Sequence, residues 1–258
     1  MRRLTFPAVV GHRGYRARFP ENTLVSFSAA VAAGADMIEL DVTLSKDRGV
    51  VVIHDDTLDR TTSGSGIVRE TPLHELRRLD AGTWFDNRFS AEPLPTLEET
   101  LALVATSGVL VNIEIKSTAW ETDAPEDAIE RQVVAMIRRM QLIDTVLVSS
   151  FHPGFLENIA ALPVHPEYAL ITNRTVPHDI VDLCTRLNVF SWHPHHESLK
   201  QSDIEAMHQS GIHVFPYTVN NPEDMIRLVE MGVDGIVTDD PELAVSCLTP
   251  YRRSVKTS

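Results

Sequence analysis

MIELDVTLSKDRGVVVIH, residues 37–54, contains two apolar runs joined by Ser45-Lys46-Asp47-Arg48-Gly49. A parallel crossover needs about a dozen residues or more, so this short link makes the second run, 50–54, the antiparallel return of a hairpin. The return carries His54 back beside Glu39 and Asp41. With the hairpin set aside, the remaining aliphatic runs fall at 8–11, 37–42, 109–115, 145–149, 167–171, 189–192, 213–218 and 235–238, with helical patterns between them. Alternating β and α segments build a parallel sheet. Eight such units in a chain of this length predict an α/β fold, a single (β/α)8 TIM barrel.

Two of these strands break the usual rule. Strands covered by helices normally read as continuous Val, Ile and Leu. In Met37-Ile38-Glu39-Leu40-Asp41-Val42 one face is aliphatic and the other carries Glu39 and Asp41. In Val111-Asn112-Ile113-Glu114-Ile115-Lys116 the second face carries Asn112, Glu114 and Lys116, because side chains alternate across a strand. Three carboxylates in one enclosed space repel unless they are protonated or neutralised by a cation. One divalent cation held by Glu39, Asp41 and Glu114 meets that need, and an oxygen-only ligand set selects Mg²⁺ or Ca²⁺ over zinc.

Reactive residues of such a barrel sit at the C-terminal ends of its strands. That rule groups the carboxylates with His12 and Arg13 after the first strand, with Lys116 at the end of the third, and with His54 on the hairpin. His12 and His54 suit proton transfer onto and off oxygen near neutral pH. Arg13 and Lys116 supply fixed positive charge for a phosphate. Ser149 and Phe151, at a strand end, are expected to line the pocket.

Helix starts are also marked. Thr96-Leu97-Glu98-Glu99 fits a capping box, and Asn221-Pro222 and Asp240-Pro241 each place an N-cap before a first-turn proline. Asp239 and Asp240 are assigned structural roles on that basis. Residues 55–95 form a turn-rich insertion containing Thr61-Thr62-Ser63-Gly64-Ser65-Gly66 and Trp84-Phe85, expected over the barrel mouth as a lid. Arg60-Thr61-Thr62 is expected to shape the turn after the hairpin. No repeat or low-complexity linker marks a second domain, so 1–258 reads as one domain with a polar, mobile tail at 249–258.

A hydrophobic content of 43% with 23% charged residues fits an ordinary globular core. The net charge of −13 argues against nucleic acid and against a strongly anionic membrane as partner. An anionic substrate then requires local positive charge from a cation and a few Arg and Lys. Cys184 and Cys247 lie in helical segments and read as free thiols, not as a disulfide. No apolar run approaches the roughly 18 residues of a membrane span, and Pro7 and His12 interrupt any signal-peptide core after Arg2-Arg3. A cytoplasmic protein without stable membrane insertion is expected, with homo-oligomer formation left open.

Gly11-His12-Arg13-Gly14, Pro20-Glu21-Asn22-Thr23, Ile38-Glu39-Leu40-Asp41-Val42 and His54-Asp55, then Asn112-Ile113-Glu114-Ile115-Lys116 and Gly232-Val233-Asp234-Gly235-Ile236-Val237-Thr238-Asp239, occur in that order. Together they resemble the glycerophosphodiester phosphodiesterase family over nearly the whole chain. The resemblance implies a barrel with a segment inserted over its mouth, a divalent metal, and cleavage of small glycerophosphodiesters to glycerol 3-phosphate and an alcohol. By the same match Glu39, Asp41 and Glu114 resemble the metal ligands, His12 and His54 the general acid and base, and Arg13 and Lys116 the phosphate contacts. Tyr217 stands where family members often have Trp and is expected to face the glycerol moiety.

Several rival readings compete. The three carboxylates could form a salt-bridge layer with Lys116 and Arg13, at a high desolvation cost. His193-Pro194-His195-His196 lacks the partners of a zinc site and reads as a surface loop. Ser149-Ser150-Phe151-His152 lacks the glycine pattern of a nucleophile elbow. At the level of function, an apolar patch of Trp84, Phe85 and Phe89 over the mouth would favour lysophospholipids as substrates. A noncatalytic phosphoester-binding barrel would not need the histidine pair. Which histidine is the acid, and whether water or the substrate's 2-hydroxyl attacks, stay open.

Overall fold

The computed structural model of the chain describes residues 4–123 and 125–252. Strands β1 (Ala8–Gly11), β2 (Met37–Leu44), β3 (Val50–Val52), β4 (Leu110–Ile115), β5 (Val146–Ser150), β6 (Glu167–Thr172), β7 (Ser191–Pro194), β8 (His213–Val214) and β9 (Gly235–Thr238) form one sheet. Its order is β8-β7-β6-β5-β4-β2-β1-β9, with β3 paired to β2 alone. Every neighbouring pair on that path is parallel. Only β3 is antiparallel, with Val42 opposite Val52 and Leu44 opposite Val50. The short link is therefore a hairpin, and eight parallel strands make a nearly closed TIM barrel.

The last seam closes irregularly. Asp234 N donates to Val214 O at 3.0 Å and Val237 N to Pro216 O at 3.0 Å. Strand β8 is shorter than the 213–218 expected from sequence, because Pro216 has no N–H to give the ladder. Pairing with β7 resumes beyond it, where Tyr217 N donates to Pro194 O at 3.0 Å. Gly235 matters at this seam. A Cβ there would stand 2.5 Å from the Phe215 ring, so glycine is what lets Phe215 fill the barrel floor.

Eight helices flank the barrel among the described residues: α1 (Leu24–Ala32), α3 (Leu97–Ser107), α4 (Ile129–Arg139), α5 (Pro153–Ala160), α6 (Ile180–Leu187), α7 (Gln201–Gln209), α8 (Pro222–Glu230) and α9 (Pro241–Leu248). Helix α2 (Leu73–Leu76) belongs to the insertion. The sequence-marked caps form as expected. Thr96 and Glu99 complete a reciprocal box on α3, Asn221 accepts from Glu223 N, and Asp240 accepts from Leu243 N.

Alternation sorts the strand residues into two cores. Ile38, Leu40, Ile113 and Val148 face the helices, while Ala8, Val10, Met37, Leu110, Leu147, Ala169, Phe215 and Val237 fill the lower barrel interior. The insertion has a small core of its own, in which Leu58, Val68, Leu76, Ala81 and Leu94 pack on Val51 and Ile53 of the hairpin. This packing anchors the hairpin and holds His54 in place. Cys184 and Cys247 are free thiols. Of the expected mobile tail, Thr249–Tyr251 is a helical turn and Arg252 pairs with Asp36 at 2.5 Å. Residues 253–258 lie outside the described residues.

Candidate active site

The upper barrel interior is polar where the lower interior is apolar. Glu39 and Asp41 on β2 and Glu114 on β4 turn inward, 4%, 1% and 12% exposed, and each offers an oxygen within 4.8 Å of the other two. Backbone groups and cations hold them there. Arg13 sits in the left-handed region at φ 53, and its N–H donates to Glu39 Oε2 at 2.8 Å. Asn22, at φ 57, clasps Asp41 by donating from Nδ2 to Oδ2 at 2.9 Å and accepting from Asp41 N at 3.2 Å. Lys116 Nζ donates to Glu114 Oε1 at 2.9 Å and lies 3.4 Å from Asp41 Oδ1. Arg13 Nε is 3.3 Å from Asp41 Oδ2.

Two cations do not balance three carboxylates here, since Arg13 also pairs with Glu21 at 2.8 Å. Burial, with Asp41 and Glu114 close by, drives the Glu39 carboxyl well above its ordinary range. Burial and Asp41 likewise raise Glu114. Burial alone would raise Asp41 as well, but Arg13 and Lys116 outweigh it and keep Asp41 low. Glu39 Oε1 is buried with no hydrogen-bond partner. An uncompensated acidic cluster with an orphaned carboxylate oxygen and an all-oxygen donor set fits a hard divalent cation. The salt-bridge layer also forms, and it leaves that demand unmet.

Both histidines are held by an aspartate. His12 Nδ1 lies 2.7 Å from Asp239 Oδ1 and His54 Nδ1 lies 2.6 Å from Asp55 Oδ1. A carboxylate only accepts, so in each ring Nδ1 carries the proton and Nε2 is left basic. Burial lowers both histidine pKa values, against the upward pull of the aspartates. Each aspartate is anchored in turn by an arginine. Arg16 Nη1 is 3.2 Å from Asp239 Oδ2, and Arg60 Nε is 2.6 Å from Asp55 Oδ2.

His12, Arg13, Glu39, His54, Glu114, Lys116, Phe151 and Tyr217 line one cavity, joined by Asn112 and His193. Asp41 does not line it but completes the acidic cluster with Glu39 and Glu114. The hydroxyl of Tyr217 donates to the Thr172 carbonyl at 3.0 Å, and the ring meets Phe151 edge to face at 6.1 Å. Its hydroxyl is thus committed to the barrel wall, and the cavity meets a phenyl face.

Four expectations need correction. The purely structural role given to Asp239 with Asp240 holds for Asp240 alone, which caps α9, while Asp239 holds His12. Its place directly after β9 is the catalytic position of a barrel strand, a signal that outweighs its proximity to Pro241. Arg60 does more than shape a turn, since it clamps Asp55 and Glu21. His193 lies on β7 and points inward, 4% exposed, with Nε2 3.0 Å from Ser191 Oγ, and burial drives its pKa down to about 3. Trp84, Phe85, Phe89 and Phe19 meet in succession edge-on or tilted, at 5.5–5.9 Å between ring centroids, and do not line this cavity.

The model of the glycerophosphoryl diester phosphodiesterase family matches residues 12–243. A glycerophosphodiester phosphodiesterase of Caldanaerobacter subterraneus subsp. tengcongensis is 38% identical over 238 residues, covering 92% of this chain and 96% of its own length. One from Bacillus altitudinis is 37% identical with coverage of 92% and 96%. Among solved structures, a phosphodiesterase of Oleispira antarctica in complex with the product sn-glycerol-3-phosphate superposes with a TM-score of 0.87 at 30% identity, covering 95% of this chain and 97% of that one.

Proposed function

Because the chain belongs to the glycerophosphoryl diester phosphodiesterase family, we propose that it hydrolyses small glycerophosphodiesters to glycerol 3-phosphate and an alcohol. The observation that carries this reading is the convergence of two aspartate-held histidines on one cavity lined by Glu39 and Glu114, with Asp41 completing their acidic cluster. Binding a phosphoester without turning it over requires no such proton-transfer pair.

Glu39, Asp41 and Glu114 would hold one Mg²⁺ or Ca²⁺. A cation bound there supplies Lewis-acid charge to a phosphoryl oxygen. Lys116 and Arg13 add positive charge at the same wall of the cavity, which favours a phosphodiester group and the charge that builds on it. Of His12 and His54, one takes the proton of the attacking hydroxyl at Nε2. The other, protonated, delivers a proton to the departing alkoxide oxygen. Asp239 and Asp55 keep each Nδ1 protonated and each ring in place, so that Nε2 is the working nitrogen. Tyr217 and Phe151 offer apolar faces to the glycerol carbons, and the Trp84–Phe85–Phe89 cluster stands apart from that space. A small diester therefore suits the cavity better than an acylated one.

The test is a coupled assay for glycerol 3-phosphate with glycerophosphocholine and glycerophosphoethanolamine, with and without chelator. Release of glycerol 3-phosphate that depends on Mg²⁺ or Ca²⁺ is the expected result. Binding of both diesters without turnover would convert the reading to a noncatalytic one.

A further inference from the structure

Within Pro20-Glu21-Asn22-Thr23, Glu21 has no part in the proton transfers described above, yet three arginines pair with it. It is 4% exposed. Arg13 Nη1 donates to its Oε1 at 2.8 Å and Arg16 Nε to its Oε2 at 3.0 Å. Arg60 Nη1 and Nη2 donate to Oε2 and Oε1 at 2.9 and 2.7 Å. Burial would raise the Glu21 carboxyl, but Arg60 and Arg13 overcome that and hold it far below the usual carboxylate range.

All three arginines reach onward, Arg13 to Asp41 of the acidic cluster at 3.3 Å. Arg16 continues to Asp239, and Arg60 continues to both oxygens of Asp55 at 2.6 and 3.0 Å. Two chains of the same chemistry therefore leave one carboxylate: Glu21–Arg16–Asp239–His12 and Glu21–Arg60–Asp55–His54. Stability alone is a poor account of this arrangement. Arg16 and Arg60 are 36% and 41% exposed, and pinning long surface side chains costs rotamer entropy for little Coulomb gain. Burying the carboxylate costs desolvation that apolar packing at the same place would avoid.

We propose that Glu21 is a positioning residue that fixes, through Arg16 and Arg60, the orientation of both histidine–aspartate pairs at once. This rests on the reading of His12 and His54 as the proton-transfer pair. A carboxylate shared in this way makes the two rings respond together to a change at a position that touches neither.

The test uses the full chain and two readouts. In Glu21→Gln, kcat should fall about 10²-fold, the usual scale for a small misplacement of reacting groups, and Glu21→Asp should restore part of it. Nitrogen-15 spectra of the histidine rings report the Nδ1–H bonds without substrate. Glu21→Gln should move the Nδ1 signals of both His12 and His54, Arg16→Gln that of His12 alone, and Arg60→Gln that of His54 alone. Unmoved ring signals in Glu21→Gln, with only a lower melting temperature, would reduce Glu21 to a structural ion pair. Should Glu21→Gln fail to fold, the two arginine variants decide. Ring-selective shifts support the proposal, and absent or unselective shifts overturn it. Full kcat in His12→Ala and His54→Ala would remove the acid–base reading while leaving the ring measurement to stand or fall by itself.

Discussion

His12 Nδ1 lies 2.7 Å from Asp239 Oδ1, although 227 positions separate them in the chain. The contact exists because β1 and β9 are neighbours across the closing side of the barrel, with Gly11 opposite Thr238. Asp239→Asn offers an amide in place of the carboxylate and leaves Nδ1 free to lose its proton. We expect kcat to fall about 10²-fold or more with KM little changed, and Asp55→Asn to act likewise on His54. Steady-state kinetics on one diester check this, and unchanged kcat in both variants would dismiss the aspartates.

Proton donation to the leaving group can be separated from proton removal. His12→Ala and His54→Ala should each lower kcat by about 10²- to 10⁴-fold. A substrate with a leaving group of low pKa should rescue only the variant that has lost the acid. Equal rescue of both, or of neither, would show that the two histidines do not divide the work this way.

Glu39→Gln, Asp41→Asn and Glu114→Gln should each remove most activity and the thermal stabilisation that Mg²⁺ or Ca²⁺ gives to the wild type by binding only the folded state. Chelator should abolish turnover and either cation should restore it. Full turnover after exhaustive chelation, with no metal found by elemental analysis, would contradict the cation site.

The metal-free protein carries a pH signature. Burial, then Asp41 and Glu114, hold Glu39 above its unfolded value. A group raised in the folded state supports folding fully below its unfolded pKa, about 4.3 for Glu, and loses that support as pH rises through the folded value. Chelated wild type should therefore be less stable at pH 8 than at pH 5.5 relative to Glu39→Gln, and the variant should melt higher at pH 8. Calorimetry in chelator at both pH values tests the sign.

The ring of Tyr217, whose hydroxyl is bound to Thr172, should set substrate choice. Tyr217→Ala should raise KM for glycerophosphocholine more than it lowers kcat, while Tyr217→Phe should change little. The kcat/KM for glycerophosphocholine should exceed that for its lysophospholipid counterpart under the same metal conditions. A clear preference for the acylated compound would reverse the assignment.

What could be read from the chain depended on the range of each interaction. A charge at every second residue of an aliphatic strand has one interior to point into, which made Glu39, Asp41 and Glu114 legible. His54 was legible because a short link permits only a hairpin. Asp239 was obscured by its neighbour, since Asp240 directly precedes Pro241 and caps α9. Its true partner becomes visible only when the barrel closes. His193-Pro194-His195-His196 reads as a polar cluster, but β7 runs through it, and strand alternation sends the first histidine inward and leaves the later two half-buried. The insertion shows Gly and Ser turns but hides its core, because Leu58, Val68, Leu76 and Leu94 follow no single period.

The hairpin also acts as a ruler. Val42 faces Val52, and Ile53 N still donates to Asp41 O at 3.0 Å, so His54 is counted off from Asp41 along a ladder of alternating faces. One residue added or removed between Val52 and His54 would turn the imidazole out of the cavity. Two added residues would restore its face but carry it about 6.6 Å past the acidic cluster. Around this hairpin a change of length should be tolerated only in the turn at 45–49 and in the loops beyond 55, and the segment between obeys a parity that no change of side chain can repair.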